Sequence, residues 1–191
     1  MTHKFETKNK HKLDNEKRRQ ALPPEETLIR LGLSSGDVMA DIGCGIGYFS
    51  IPASKIVGNS GQVYALDISD EMLCEVNTRI ANNHIDNVVT VLTAENKLNL
   101  EKADVTFAFI STVMHEIDDK NRMLDEIKKV LADNGKIAIV EWQKKNSEFG
   151  PPREHRLAKA ELIQLLELHG FVSIAAMDIG EHFYGITASK K

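Results

Sequence analysis

The sequence predicts a doubly wound α/β fold: a mostly parallel sheet of seven strands, helices on both faces, and one antiparallel strand near an edge. Three observations carry this expectation. Short apolar, β-branched runs alternate with stretches of helical periodicity along most of the chain. Gly43, Gly45 and Gly47 fall where the first such run gives way to a helix. The last two runs are joined by a short link containing Gly180, which fits a hairpin, because a parallel pair needs a crossover of about a dozen residues.

Taken in order, Glu25 to Leu31 after Pro23-Pro24 reads as a short helix with an acidic first turn, stopped by Gly32. Val38 to Ile42 is the first strand, Ile46 to Val57 a helix, and Gln62 to Leu66 the second strand. Ser69 is an N-cap for a helix whose apolar face is Met72, Leu73, Val76 and Ile80. Val88 to Leu92 and Val105 to Ile110 have the composition of buried strands. Met123, Leu124, Ile127, Val130 and Leu131 recur at helical spacing, and Asn134-Gly135 turns that helix into a strand from Lys136 to Glu141. A polar, proline-containing loop over 143–157 precedes a helix with Leu162, Ile163, Leu165 and Leu166, ended by Gly170. Phe171 to Met177 and His182 to Ala188 are the closing strands.

Length and composition limit the rest. A chain of 191 residues has room for one domain with a substantial core and none for a second catalytic domain. With 42% hydrophobic and 27% charged residues, collagen-like, coiled-coil and wholly disordered chains are excluded. The net charge of -4 argues against a surface built throughout for nucleic acid. Residues 1–20, however, hold seven basic and three acidic side chains, a net of +4, leaving -8 on the other 171. The expected organisation is a basic arm or lid over 1–21 and a single domain over 22–191. Cys44 and Cys74 form no CxxC pair and join no His/Cys cluster, so neither a disulfide framework nor a metal site is expected. Free thiols, no apolar leader and no run approaching 18 apolar residues point to a cytoplasmic protein without a membrane span.

The glycine segment carries the chemistry. It lies at the carboxyl edge of the sheet, where doubly wound folds bind ligands, and its glycines admit close backbone approach. A dinucleotide loop would read G-x-G-x-x-G; here the third glycine arrives one residue early and Asp41 precedes the first. That acid repels a pyrophosphate and suits a cationic amino group, so the loop fits a zwitterion. Asp67, 20 residues past Gly47, ends the second strand, where a carboxylate accepts hydrogen bonds from both ribose hydroxyls.

These residues resemble the class I S-adenosylmethionine-dependent methyltransferases, in particular the small ones grouped with the ubiquinone/menaquinone-biosynthesis enzymes. The resemblance rests on Asp41-Ile-Gly-Cys-Gly-Ile-Gly47, on Val63-Tyr-Ala-Leu-Asp67-Ile-Ser69, on the Asp104 to Ile110 strand and on Leu131-Ala-Asp-Asn-Gly-Lys-Ile-Ala-Ile-Val140, and it covers roughly residues 22 to 189. It implies the Rossmann-like fold of that family and S-adenosyl-L-methionine as cofactor. It further implies that Gly43, Cys44, Gly45 and Gly47 pass the methionine end, with Asp41 near its amino group, and that Asp67 binds the ribose. Ile68 and Met72 would then pack on the adenine, Ala94 and Glu95 would reach its edge, and Ile110 and Ser111 would close the site beneath the sulfonium.

Methyl transfer from a sulfonium is an in-line displacement on an activated electrophile, so the protein must align the acceptor, exclude water and remove any proton the acceptor carries. Neither a metal nor a covalent nucleophile is required. His115, just past the fourth strand, is the expected catalytic base and acceptor contact. Trp142, His155 and Arg156 are the other candidate acceptor residues, and His11 and Arg19 of the arm are candidates to fold over the site. Absences narrow the acceptor. The fourth strand is followed by Ser111-Thr112-Val113, not by the Asn/Asp-Pro-Pro-aromatic run of adenine methylation. Neither cysteine lies where pyrimidine-carbon methylation needs a thiol, and arsenite-methylating relatives need more cysteines. A small molecule is therefore the expected partner: a thiol, amine, phenol or quinone-like ring. The alternatives are an RNA-directed or non-catalytic relative that uses the basic arm, and a nicotinamide-dependent oxidoreductase on the same architecture.

Overall fold

In the computed structural model, residues 13–100, 105–147 and 150–191 are described. Two short helices, α1 (Glu16–Ala21) and α2 (Pro24–Arg30), precede β1 (Val38–Ile42), α3 (Ser50–Val57), β2 (Gln62–Asp67), α4 (Asp70–Asn83) and β3 (Val88–Leu92). There follow β4 (Val105–Ser111), a 3₁₀ turn (Met114–Glu116), α5 (Lys120–Val130) and β5 (Leu131–Trp142). A second 3₁₀ turn (Arg153–His155), α6 (Lys159–Leu168), β6 (Phe171–Ile179) and β7 (Phe183–Lys190) complete the chain. The seven strands form one sheet in the order β3-β2-β1-β4-β5-β7-β6. Of these only β7 runs against its neighbours, pairing antiparallel with both β5 and β6. This is the fold class expected from the sequence.

Period-two alternation divides the core between the sheet's faces. Ala40, Ile42, Ala108, Ile110, Ile137 and Ile139 point to one face, under Leu124 and Ile127 of α5 and Leu162 and Leu166 of α6. Met39, Phe107, Phe109, Ala138 and Val140 point to the other, under Leu28 of α2, Ala53 and Val57 of α3, and Leu73 and Val76 of α4. Every one of these side chains is at least 95% buried, and each Leu or Phe withdrawn from water contributes about 1.5–3 kcal/mol.

Local chemistry explains where the elements differ from expectation. The helix after β1 begins at Ser50, not Ile46, because Gly43, Gly45 and Gly47 all take positive φ (74°, 54° and 80°) and hold the segment in turns. β5 begins at Leu131, which pairs with Val105; regular pairing resumes only at Lys136 opposite Phe107, across the Asn134 turn at φ 61°. Ser69 caps α4 as expected, its Oγ accepting from the Met72 N–H at 3.4 Å. Within the arm, Asn15 caps α1 by accepting from the Arg18 N–H at 2.9 Å. His11 and Asp104 lie outside the described residues.

Candidate functional site

The parallel registers bring the carboxyl ends of β1, β2, β4 and β5 to one edge of the sheet: Ile42 lies beside Leu66 and Ile110, and Ser111 beside Val140. With β1 flanked by β2 and β4, this edge opens at the point where the chain reverses its winding. A cavity of about 1010 Å³ occupies it.

The glycine loop forms the floor. The Gly43 and Cys44 N–H groups both donate to the Leu66 carbonyl, at 2.8 and 2.9 Å, which folds the loop over the end of β2. A Cβ at Gly43 would lie 2.6 Å from Val113 Cγ2, so glycine lets the segment after β4 close onto the loop. Asp41 is buried and accepts a hydrogen bond from Ser50 Oγ at 2.5 Å. Burial pushes its carboxyl up to about 7 despite that bond, with the nearby Asp67 charge adding to the rise. Asp67 accepts from the Gly45 N–H at 2.8 Å and from the Ser69 N–H at 2.9 Å. Burial raises its carboxyl too, and these backbone donors oppose the rise. Each Asp67 oxygen keeps lone-pair capacity for a further donor. Cys44 is buried, and burial drives its thiol well up, so it sits in the wall as an unreactive thiol.

Asp41, Gly43, Cys44, Gly45, Asp67, Ile68, Met72, Ala94, Glu95, Ser111, His115 and Trp142 all line this one cavity. Ile68 is 54% exposed, an apolar side chain presented to open space, whereas Met72 is almost wholly covered. The Ser111 Oγ is buried and has no hydrogen-bond partner among the described residues. Two candidates stand back from the wall. Gly47 faces Val76 and Ile51 behind the loop, and Ile110 is fully buried in the core beneath Ser111.

Glu141, at the end of β5, is fully buried, and both its oxygens lie against His115 Nδ1, at 3.0 and 2.9 Å. It also accepts from the backbone N–H groups of His115 and Trp142, at 3.1 and 3.2 Å, which pins the 3₁₀ turn after β4 to the neighbouring strand. Burial lowers the His115 basicity, but the hydrogen bond and charge of Glu141 outweigh it, and the imidazole is raised above its usual value; Glu116 adds to the rise and Lys120 opposes it. A carboxylate against Nδ1 favours the tautomer with its proton there, and the basic Nε2 then faces Glu116 Oε1 at 3.7 Å, beyond hydrogen-bond distance. The sequence reading did not single out Glu141. The signal was there: an acid ending the apolar run Ile137 to Val140 is buried, and a buried charge needs a partner.

His115 and Pro151 also border a second cavity of about 340 Å³, and His155 and Arg156 line this one, not the larger. The Arg156 guanidinium donates to the carbonyls of Pro151, Gln143 and Lys145 and to Ser147 Oγ, and it lies 5.4 Å from the Trp142 ring centroid. It thereby holds together the loop after β5. Trp142 packs on Phe183 with ring centroids 4.3 Å apart.

The arm covers the other side. Leu13, Lys17, Arg18 and Ala21 line the large cavity. Asp14 binds Arg19 through Nε and Nη2 (2.7 and 2.9 Å) and Arg79 of α4 at 2.8 Å. Burial alone would raise Asp14, but hydrogen bonds from the two guanidinium groups hold it below the usual carboxylate range. The Tyr48 hydroxyl donates to the Leu22 carbonyl at 2.8 Å. Among the described residues no cluster of His, Cys, Asp and Glu has a metal-binding arrangement, and no helix is long and apolar enough to cross a membrane.

Comparison with known proteins agrees with this architecture. A solved structure of a SAM-dependent methyltransferase from Aquifex aeolicus superposes with a TM-score of 0.92 at 30% identity, covering 97% of this chain and 99% of that one. The chain is 32% identical over 125 residues to a ubiquinone/menaquinone biosynthesis C-methyltransferase of a Marinomonas strain, covering 64% of this chain and 49% of the relative. It is 30% identical over 119 residues to a demethylmenaquinone methyltransferase of Halalkalibacterium halodurans, covering 61% and 48%. The chain thus spans about half the length of these two curated relatives. The family model for the methyltransferase domain matches residues 33–180, most of the sheet and the whole glycine loop, and the chain therefore belongs to that family within the class I S-adenosylmethionine-dependent methyltransferases.

Proposed function

We propose that the protein transfers a methyl group from S-adenosyl-L-methionine to a small-molecule acceptor, and that His115 takes up the acceptor's proton. The observation that carries this reading is the His115–Glu141 pair, placed on the same cavity as the acid-flanked glycine loop. When bound, the cofactor supplies an activated methyl group for in-line displacement. The residues present fit it. Asp41, raised to about 7 by burial, is poised to ionise against a cationic amino group. Asp67 keeps capacity for the ribose hydroxyls, Ile68 and Met72 offer apolar surface for the adenine, with Ala94 and Glu95 at its edge, and the Ser111 Oγ has a hydrogen bond still to make.

At the acceptor end, Glu141 holds the imidazole in one tautomer and stabilises the imidazolium formed when Nε2 takes the proton. Trp142 and Phe183, with Pro151, supply apolar walls that exclude water and seat a planar acceptor. An acceptor with a removable proton, such as a phenol, thiol, amine or quinol-type ring, suits this site, and the quinone-directed relatives make the quinol ring the first to test.

The chain's single tryptophan, Trp142, is a built-in reporter. Titration with S-adenosylhomocysteine should change its fluorescence saturably, NAD should not, and a panel of phenols, thiols, amines and quinols should contain an acceptor that drives S-adenosylhomocysteine release. Tight NAD binding with no response to either adenosyl ligand would sink the reading.

A further inference from the structure

Arg18 is a charged residue of the cavity wall, and among the described residues it meets the Asp14 carboxylate only through space, with no ion pair. Its neighbours on α1 and α4 are committed: the Asp14 carboxylate is taken by Arg19 and by Arg79. The Arg18 guanidinium instead lies over the Tyr48 ring, its Cζ 4.9 Å from the centroid, and its Nε is covered, with no hydrogen-bond partner among the described residues. No carboxylate among the described residues pairs with it. Covering part of a guanidinium without pairing it to an anion is costly, and the ring's attraction offsets only part of that cost. Burial accordingly makes this guanidinium less basic than a free arginine.

Its position identifies which end of the cavity it serves. Tyr48 directly follows Gly47, and Leu13, on the same segment as Arg18, overlies Gly45, where an added Cβ would lie 3.1 Å from Leu13 Cδ1. Arg18 therefore stands above the glycine loop, with Asp41 on the floor of the same cavity. An acid below and an arginine above match the two charges of an amino-acid end group. A planar guanidinium also suits a carboxylate's two oxygens.

We propose that Arg18 receives the carboxylate of the cofactor's methionine end, so that Asp41 and Arg18 together clamp the zwitterion. This rests on the cofactor assignment made above. A pair of ligands differing only in the carboxylate tests it: S-adenosylhomocysteine and its decarboxylated analogue, titrated calorimetrically into the full chain and into Arg18→Gln. The native protein should prefer the carboxylate-bearing ligand by roughly 10-fold or more, the range of a charge-assisted hydrogen bond. Arg18→Gln should bind the two ligands about equally and the decarboxylated analogue as the native chain does, while Arg18→Lys keeps part of the preference. Thermal unfolding of ligand-free Arg18→Gln should be no lower than native, because the substitution removes a partly covered cation that forms no ion pair among the described residues. Equal binding of the two ligands by the native chain, or a full preference retained by Arg18→Gln, overturns the proposal while leaving the cofactor assignment standing. Binding of neither ligand by the native chain overturns both.

Discussion

Asp41 and Glu141 are both buried carboxylates at strand ends, yet their surroundings differ, and so do the effects expected from removing their charge. Asp41 has one hydroxyl donor and an acid nearby, so its ionisation in the folded chain is deferred from 3.8 to about 7. Between those values the folded state holds a proton that the unfolded state has lost, and stability falls as pH rises through that window. Asp41→Asn should therefore be more stable than the native chain, by a margin that grows from about pH 4 to pH 7 and levels off at a few kcal/mol, while S-adenosylhomocysteine affinity drops at least about tenfold. Urea unfolding at pH 5 and pH 8 with parallel titrations checks this; a variant less stable at pH 8 would contradict it. Glu141, in contrast, faces an imidazole. The raised His115 is protonated below 6.5, where the pair contributes its full stability, and that contribution is lost as pH rises through the folded value. Only the neutral ring accepts a proton, so kcat should climb along an acid limb lying above 6.5. Glu141→Gln should move that limb to lower pH and lower the plateau, and His115→Gln should cost roughly 10²–10⁴-fold in kcat. An unmoved limb in Glu141→Gln would leave Glu141 a purely structural residue.

At the scale of elements, the loop after β1 and the turn after β4 fit as a pair. Gly43→Ala would place a methyl group 2.6 Å from Val113 Cγ2 on a residue at φ +74°, a combined clash and backbone strain costing about 1–3 kcal/mol. Adding Val113→Ala should restore part of the stability and part of the cofactor affinity, the strain at φ +74° remaining; strict additivity of the two changes would show that the elements do not couple. This pairing also marks how far the sequence could be read. The central strands were visible because both their faces are covered and they read as short apolar runs, whereas β3, apolar enough to be expected buried, lies at the sheet's edge with Val89 and Leu92 about half exposed; the glycine loop with Asp67 was visible because its spacing is local. What escaped is long-range. Glu141 meets His115 across 26 residues, a register that only the pairing of Ser111 with Val140 creates. Arg156, expected at the acceptor, lines the smaller cavity beside His115, and its guanidinium also holds the carbonyls of the loop after β5, a use that no local spacing announces. The late start of α3 follows from three left-handed glycines, a backbone effect that apolar periodicity does not register.

For the molecule as a whole, the unequal charge of arm and body becomes a question of how firmly α1 is held. Its described polar ties to the body are Asp14 to Arg79, Tyr48 to the Leu22 carbonyl, and the stacking of Arg18 and Arg19 on Tyr48, and its apolar anchor is at its end, where Ala21 and the buried Leu22 join the core. The Asp14–Arg79 pair is mostly covered, at 12% and 27% side-chain exposure, and is the one ion pair among the described residues that ties Asp14 to α4. Against a sheet with two full cores, α1, none of whose own residues is buried, is expected to open at low cost. A ligand that pairs with Arg18 would add a tie between arm and floor, so binding should slow that opening. Limited trypsinolysis reads it directly, since Lys17, Arg18 and Arg19 are consecutive cleavage sites. Saturating S-adenosylhomocysteine should slow cleavage there about in proportion to the stabilisation that binding supplies, and Arg79→Ala should speed cleavage in the free chain without lowering the unfolding temperature of the sheet. Cleavage at equal rates with and without ligand would mean that the cofactor site is complete without α1, and that the basic arm serves something other than the cofactor.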